Sequence, residues 1–220
     1  MAANEHNHTF RAFSTMSSLR ALPIPILTVI LFMLPFTILA ATTDATEPTT
    51  TSVPDHAGVR KSILLDDFED LSGWTVATST GARLEIAQDT GRNGRAMRLD
   101  FEALDGASWI IARKTFHLHL PDNYAFHAFA RGEAPAIDFE FKLVDPNQNV
   151  WWHKLREHVF GKDWQPMTVK KRHLSLAWGP GGPLEEAVVI EFAIVPGARS
   201  KGSVWIDELT LEEREPAHIY

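Results

Sequence analysis

Along residues 137–144, apolar and charged side chains alternate without a break. Ile137, Phe139, Phe141 and Leu143 are apolar, with Asp138, Glu140 and Lys142 between them. Side chains of a strand point to opposite faces at a period of two, so this pattern predicts a strand with one wholly apolar face and one charged face. Asp145-Pro146-Asn147-Gln148-Asn149 follows as a turn, with Pro146 setting φ and the asparagines tolerating left-handed backbone. A second strand opens at Val150 and runs through Trp151-Trp152. Parity allows only one of these adjacent indoles on each face, and the charged side falls to Trp152.

Similar short apolar runs recur from Val59 to the end of the chain. They predict strands over 62–68, 74–79, 82–88, 96–102, 109–118, 124–131, 137–144, 150–155, 165–171, 187–195 and 203–211. Between them stand turn formers such as Ser79-Thr80-Gly81, Gly91-Arg92-Asn93-Gly94, Pro121-Asp122-Asn123 and Pro196-Gly197. No sustained helical stripe and no internal repeat is present. Many short strands at this spacing indicate a β-sandwich or barrel.

The N-terminal part is organised differently. Residues 1–20 are polar with Arg11 and Arg20, and residues 21–41 are apolar and end in small residues. This pattern predicts a signal peptide over residues 1–41. The other reading is an uncleaved membrane anchor, although Pro23, Pro25 and Pro35 weaken a continuous helix. Both readings place the rest of the chain outside the cytoplasm, secreted or in the periplasm or at the cell surface, with membrane contact only if the segment is uncleaved. Residues 42–58 are rich in Thr and Pro and form a linker that cannot bury a core. The folded domain is expected over 59–216.

Composition narrows the function. The formal net charge is −7 and the isoelectric point about 5.8, which argues against nucleic acid as a partner. The absence of cysteine excludes disulfides, a thiol nucleophile and a lipoprotein anchor. Seven Trp and thirteen Phe point to a β-rich core, an aromatic surface or both, and at least half of the Trp residues are expected in the core.

The first strand runs into Asp66-Asp67-Phe68-Glu69-Asp70, and the last carries Trp205-Ile206-Asp207-Glu208. First and last strands of a sandwich commonly lie side by side, which would bring Asp67 or Glu69 near Asp207. Clustered carboxylates repel unless a cation sits between them, and hard oxygen ligands suit Ca²⁺, with carbonyls from the 91–94 loop completing the shell. The alternative is that these acids are solvated strand ends or pair with Arg92, Arg95 or Arg98.

The segments LLDDFEDLSGW, DTGRNGRAMRLDFE and GSVWIDELTLEE resemble carbohydrate-binding modules with the galactose-binding-like fold. EFKLVDPNQNVWW and DWQPMTVKKRHLSLAWGPGGP further resemble the N-terminal module of large bacterial discoidin-containing or glycoside-hydrolase-like proteins. The resemblance covers residues 62–212 and implies an all-β, two-sheet antiparallel jelly-roll β-sandwich. It also implies a structural calcium held by Asp67, Glu69, the 89–94 loop and Asp207, a polysaccharide or glycan ligand, and a glycoside hydrolase or surface protein as a further partner. One departure is that no catalytic domain accompanies the module in this sequence.

Parity assigns a second set of residues to the side opposite the core. His127 and Arg131 fall opposite Phe126, and Glu191 falls opposite Ile190, Phe192 and Ile194. On strands adjacent to Glu140 and Lys142 they would make a polar patch on a concave sheet. Carboxylates there would take hydroxyl pairs, and indoles would stack on the C–H face of a pyranose. Trp152 is the expected platform, with Trp178 at the edge. The other reading of Glu140 and Lys142 is a cross-strand ion-pair ladder on a solvated sheet. Lys170-Lys171-Arg172-His173 is a basic run suited to phosphate or an acidic glycan, or a solvated strand end.

Catalytic signatures are sparse. His117 and His119 share a strand face without a third ligand at a known spacing, and no G-x-S-x-G elbow is present. Glu140 and Glu191 would make a glycosidase pair only if they faced each other across a scissile bond. The expected protein is a secreted, non-catalytic carbohydrate-binding module stabilised by calcium. The alternative is an interaction or spacer domain of a surface or glycoside-hydrolase-type assembly.

Overall fold

The computed structural model describes residues 58–104 and 108–216. The signal peptide expected over 1–41 and all but the last residue of the linker lie outside the described residues. Twelve strands follow one another: β1 (Val59–Asp66), β2 (Thr75–Thr78), β3 (Ala82–Thr90), β4 (Arg95–Ala103), β5 (Ile110–His119), β6 (Tyr124–Glu133), β7 (Ile137–Val144), β8 (Val150–His158), β9 (Gln165–Lys170), β10 (Ser175–Trp178), β11 (Glu186–Val195) and β12 (Lys201–Arg214). A single 3₁₀ turn, Lys171–His173, joins β9 to β10.

The strands form two antiparallel six-stranded sheets packed as a jelly-roll β-sandwich, the fold expected from the sequence. The first sheet runs β3-β4-β12-β6-β9, with β1 also on β12, and the second runs β10-β8-β7-β11-β5-β2. Each strand expected from the alternation is present. The one not foreseen is β10, whose four residues stand directly before the Gly179-Pro180 loop.

β12 is the long strand that joins the parts of the first sheet. Its first half, to Ile206, pairs with β4, and from Leu209 onward it pairs with β1 on the same edge. β6 runs along its other edge. At the change of partner the register with β6 shifts between Asp207 and Thr210, and Glu208 takes a positive φ of 53°. First and last strands are therefore neighbours, and the hand-over leaves a gap in the ladder at Asp207.

Between the sheets lies an aromatic core. Phe126 of β6 meets Phe141 of β7 at 5.1 Å, Phe141 meets Phe192 at 5.8 Å, and Phe192 stacks on Trp74 at 5.7 Å. Each such ring removes roughly 150–250 Å² from water, so the chain of rings ties the two sheets together. Asp66 closes one end: its carboxylate accepts the Trp74 indole N–H at 2.9 Å and the Lys114 ammonium at 2.8 Å. Fewer Trp residues are in this core than expected. Trp74 belongs to it and Trp151 packs against it, whereas Trp205 is buried on the outside of the first sheet beneath Arg131, 4.0 Å from its ring.

Candidate binding face and the acidic junction

The outer face of the second sheet carries a row of polar side chains that crosses every strand. Register aligns Ser175 of β10 with Trp152 of β8, Trp152 with Lys142 of β7, Lys142 with Glu191 of β11, Glu191 with Arg113 of β5, and Arg113 with Thr75 of β2. Phe139, Phe141 and Leu143 fill the core beneath. The alternation read at 137–144 thus places Glu140 and Lys142 on this face, and parity sends Trp151 inward and Trp152 outward.

These charges lie in the sheet surface, not above it. Glu140 is 2% exposed and Lys142 5%, covered by the indoles and by Lys154. Glu140 Oε2 takes the Lys142 ammonium at 2.9 Å, and Oε1 takes Lys154 at 3.0 Å. Lys154 also reaches Asp138 at 3.0 Å. Burial alone would lower the Lys154 pKa, but the Glu140 and Asp138 carboxylates more than offset it and hold it raised. Asp138 is lowered by the Glu157 amide and then by Lys154. Glu191 is raised, because burial outweighs Lys142 and an Arg113 guanidinium 4.0 Å away.

One end of the row is aromatic. Trp152 and Trp178 meet edge to face, 5.9 Å apart at 84°, with Lys142 5.9 Å from the first ring and 5.3 Å from the second. Trp178 is half exposed on the edge strand β10. Its loop is tied to the β7–β8 turn by Asn149, which is 1% exposed. The Asn149 side chain donates to the Gly181 carbonyl at 3.1 Å and accepts the Gly181 amide at 2.8 Å, while its own Nδ2 is held by Asp145 at 2.7 Å. Gly179 has φ +122°, and a Cβ there would stand 2.4 Å from Asn149 Oδ1.

His127 and Arg131 are not part of this face. Both lie on β6, which belongs to the first sheet, so alternation gave their side of the strand but not their sheet. His127 Nε2 lies 2.9 Å from Glu212 Oε2, and Nδ1 lies 2.9 Å from Thr168 Oγ1. The Arg131 guanidinium lies over Trp205 at 4.0 Å and Trp164 at 5.3 Å. The single patch expected from seven residues is therefore corrected: Glu140, Lys142, Glu191, Trp152 and Trp178 come together, and His127 and Arg131 face away. Lys154 and Arg113 were missed, although Lys154 shares the parity of Trp152 and Arg113 that of Thr115.

Asp67, Glu69 and Asp207 line one depression of about 550 Å³ at the hand-over of β12. The loop between β3 and β4 closes on it, but it presents amides, not carbonyls. Asp207 Oδ2 accepts the Arg92 amide at 2.7 Å and the Asn93 amide at 3.3 Å, and Oδ1 accepts the Glu208 amide at 2.8 Å. Glu69 Oε1 accepts the Arg95 amide at 2.7 Å. Gly94 has φ +60°, and a Cβ there would fall 1.8 Å from Glu69 Oε1, so only glycine lets the loop close. Glu208 is taken by the Arg92 guanidinium at 2.6 Å and by the Asn93 side chain. Burial raises the Asp207 pKa against the pull of these amides. Asp207 gives both oxygens and Glu69 one oxygen to these amides, whereas calcium takes six to eight oxygen ligands. Among the described residues no three His, Asp or Glu side chains converge on a metal position. The loop amides stand where the expected ion's carbonyl ligands would be.

Neither a family model nor a curated protein matches the sequence. Solved structures do match the fold. A family 11 carbohydrate-binding module from a cellulosomal cellulase of Clostridium thermocellum superposes with a TM-score of 0.56 at 15% identity, covering 72% of this chain and 98% of that one. A family 11 module of the same organism, in complex with a β-1,3-1,4-mixed-linked tetrasaccharide, gives 0.55 at 15% identity over 68% of this chain and 94% of the other. An exo-β-agarase gives 0.51 at 15% identity over 70% of this chain and 25% of that one. The chain has the β-sandwich fold of these carbohydrate-binding modules.

Proposed function

We propose that this chain is a non-catalytic glycan-binding module that works outside the cytoplasm and binds its sugar on the outer face of the second sheet. The observation that carries this reading is the row Trp152–Lys142–Glu191–Arg113, in which donors and acceptors alternate beside a corner of two indoles. A pyranose offers what that row lacks: hydroxyls that donate to carboxylates and accept from ammonium groups, and a C–H face for an indole. Buried ion pairs add little net stability over apolar residues of the same size, so stability alone does not account for the six charged groups Asp138, Glu140, Lys142, Lys154, Glu191 and Arg113 on this face. The shared fold with family 11 modules, one from a cellulosomal cellulase and one solved with a mixed-linked tetrasaccharide, supports the same reading.

Catalysis is disfavoured by the partners of the two glutamates. Both Glu140 oxygens are held by lysines, and Lys142 pairs across the strands with Glu191. No water-facing acid and base flank an open cleft there. A glycan array probed with the full chain tests the proposal. Binding to neutral β-linked oligosaccharides is expected, and an empty array would leave the interaction-domain reading instead.

Glu191 gives the site an expected pH dependence. Its carboxylate is the hydroxyl acceptor, and burial raises its pKa above the ordinary 4.5. Affinity should fall as pH drops through that raised value, earlier than an exposed glutamate would cause, and Glu191→Gln should flatten this part of the profile. The stability contribution has the opposite slope. The native state holds this proton more tightly than the unfolded chain, so stability from this group falls as pH rises from the ordinary to the raised value. Titration calorimetry across this range checks the first claim and thermal melts the second.

The acidic junction is proposed to hold by carboxylate–amide bonds without an ion. EDTA should then move the melting temperature by less than about 1 °C, whereas loss of a bound stabilising ion would lower it by several degrees.

A further inference from the structure

A basic cleft lies at the end of the first sheet where β6 begins and β9 and β12 end. Its volume is about 590 Å³, and Lys170, Lys171, Arg172, Arg214, Asn123 and Tyr124 are among its lining residues. The chain as a whole is acidic at −7, so this concentration of cations is a local exception. Two nearby carboxylates are already engaged: Glu212 is 3.3 Å from Arg214, and Glu215, which also lines the cleft, is 3.2 Å from Arg60. Lys171 donates to a neutral group, the Asp122 carbonyl, at 2.8 Å. Among the described residues, Lys170, Lys171 and Arg172 form no ion pair, and the latter two are exposed. The Tyr124 hydroxyl is buried without a hydrogen-bond partner, and burial pushes its pKa up to about 12.

We propose that this cleft binds a carboxylate or sulfate group of an acidic glycan, through Lys170, Lys171 and Arg172. Three adjacent cations without counter-ions attract an anion, and charge-assisted hydrogen bonds to carboxylate or sulfate are roughly twice as strong as neutral ones. The size lies within the range of small-ligand clefts, roughly 300–1,000 Å³, and admits a sugar unit or two. A duplex or a bilayer fits less well, because its broad face would meet the acidic remainder of the surface together with the cleft, whereas a single glycan chain can enter with one or two sugar units. The choice of glycan as the carrier of the anion rests on the glycan-binding reading above, but the cleft and the indole face lie on different sheets and are separable.

The test compares full-length wild type, the double variant Lys171→Gln/Arg172→Gln and Trp152→Ala on immobilised polygalacturonate, heparin and neutral β-glucan. Thermal melts of each variant confirm folding. Wild type should bind polygalacturonate or heparin, the double variant about tenfold or more weakly, and wild-type binding to these probes should weaken as salt rises. Binding of the double variant to neutral glucan should be unchanged, and Trp152→Ala should show the reverse pattern. Equal binding of the acidic probes by wild type and the double variant, or no binding by either, overturns the proposal. So does binding confined to anionic phospholipid vesicles or to DNA. Binding of the acidic probes but not of neutral glucan by wild type would instead count against the indole face.

Discussion

Trp152→Ala should remove most glycan binding while leaving the domain folded. Trp152 is partly buried on the outer face of the second sheet and touches no core ring, so its loss opens no internal cavity. On the binding side its role is large. It forms the corner with Trp178, and the Lys142 and Lys154 ammonium groups lie 5.9 and 5.4 Å from its ring. Without the indole, both the stacking surface and the cover over the Glu140–Lys142 pair are lost. Central aromatic anchors contribute about 2–4 kcal/mol, which corresponds to roughly 30- to 1,000-fold in affinity. Trp178→Ala should cost less, because Trp178 is half exposed at the sheet edge. Affinity electrophoresis on whichever polysaccharide the array selects measures both. Equal retardation of wild type and Trp152→Ala would remove the indole corner from the site.

Asp207→Ala should destabilise the domain through the first sheet. Asp207 is 0% exposed and sits where β12 passes from β4 to β1. Its carboxylate accepts the amides of Arg92, Asn93 and Glu208, and alanine accepts none of them. An amide that loses its acceptor costs about 1–3 kcal/mol where water cannot replace it, and these three amides are partly buried, so a total of about 3 kcal/mol is expected. For a domain of this size that is a drop of roughly 6–12 °C in melting temperature. Circular dichroism melts check it, and an unchanged transition would contradict the account of the junction. Glycan affinity of the folded Asp207→Ala protein should match wild type, because the two places lie on different sheets.

The alternation along 137–144 was enough to identify a strand, its core face and its charged face, because a buried side forces a period of two. It also separated Trp151 from Trp152. Parity cannot say which sheet a strand joins. His127 and Arg131 were therefore grouped with Glu140 although β6 pairs with β9 and β12. The adjacency of first and last strands was legible from sandwich topology and brought Glu69 and Asp207 to one loop as expected. The direction in which the 91–94 peptide units point was not legible, and that direction decides between a carbonyl cage and a set of amide donors. β10 escaped because four residues before Gly179-Pro180 carry too little pattern to distinguish an edge strand from a loop.

The central claim is that the glycan lies on the outer face of the second sheet, and the seven indole N–H resonances test it most directly. Titrating the bound oligosaccharide into ¹⁵N-labelled protein should shift the Trp152 and Trp178 signals and leave Trp164 and Trp205, on the first-sheet side, in place. Shifts at Trp164 and Trp205 with Trp152 and Trp178 unmoved would contradict it.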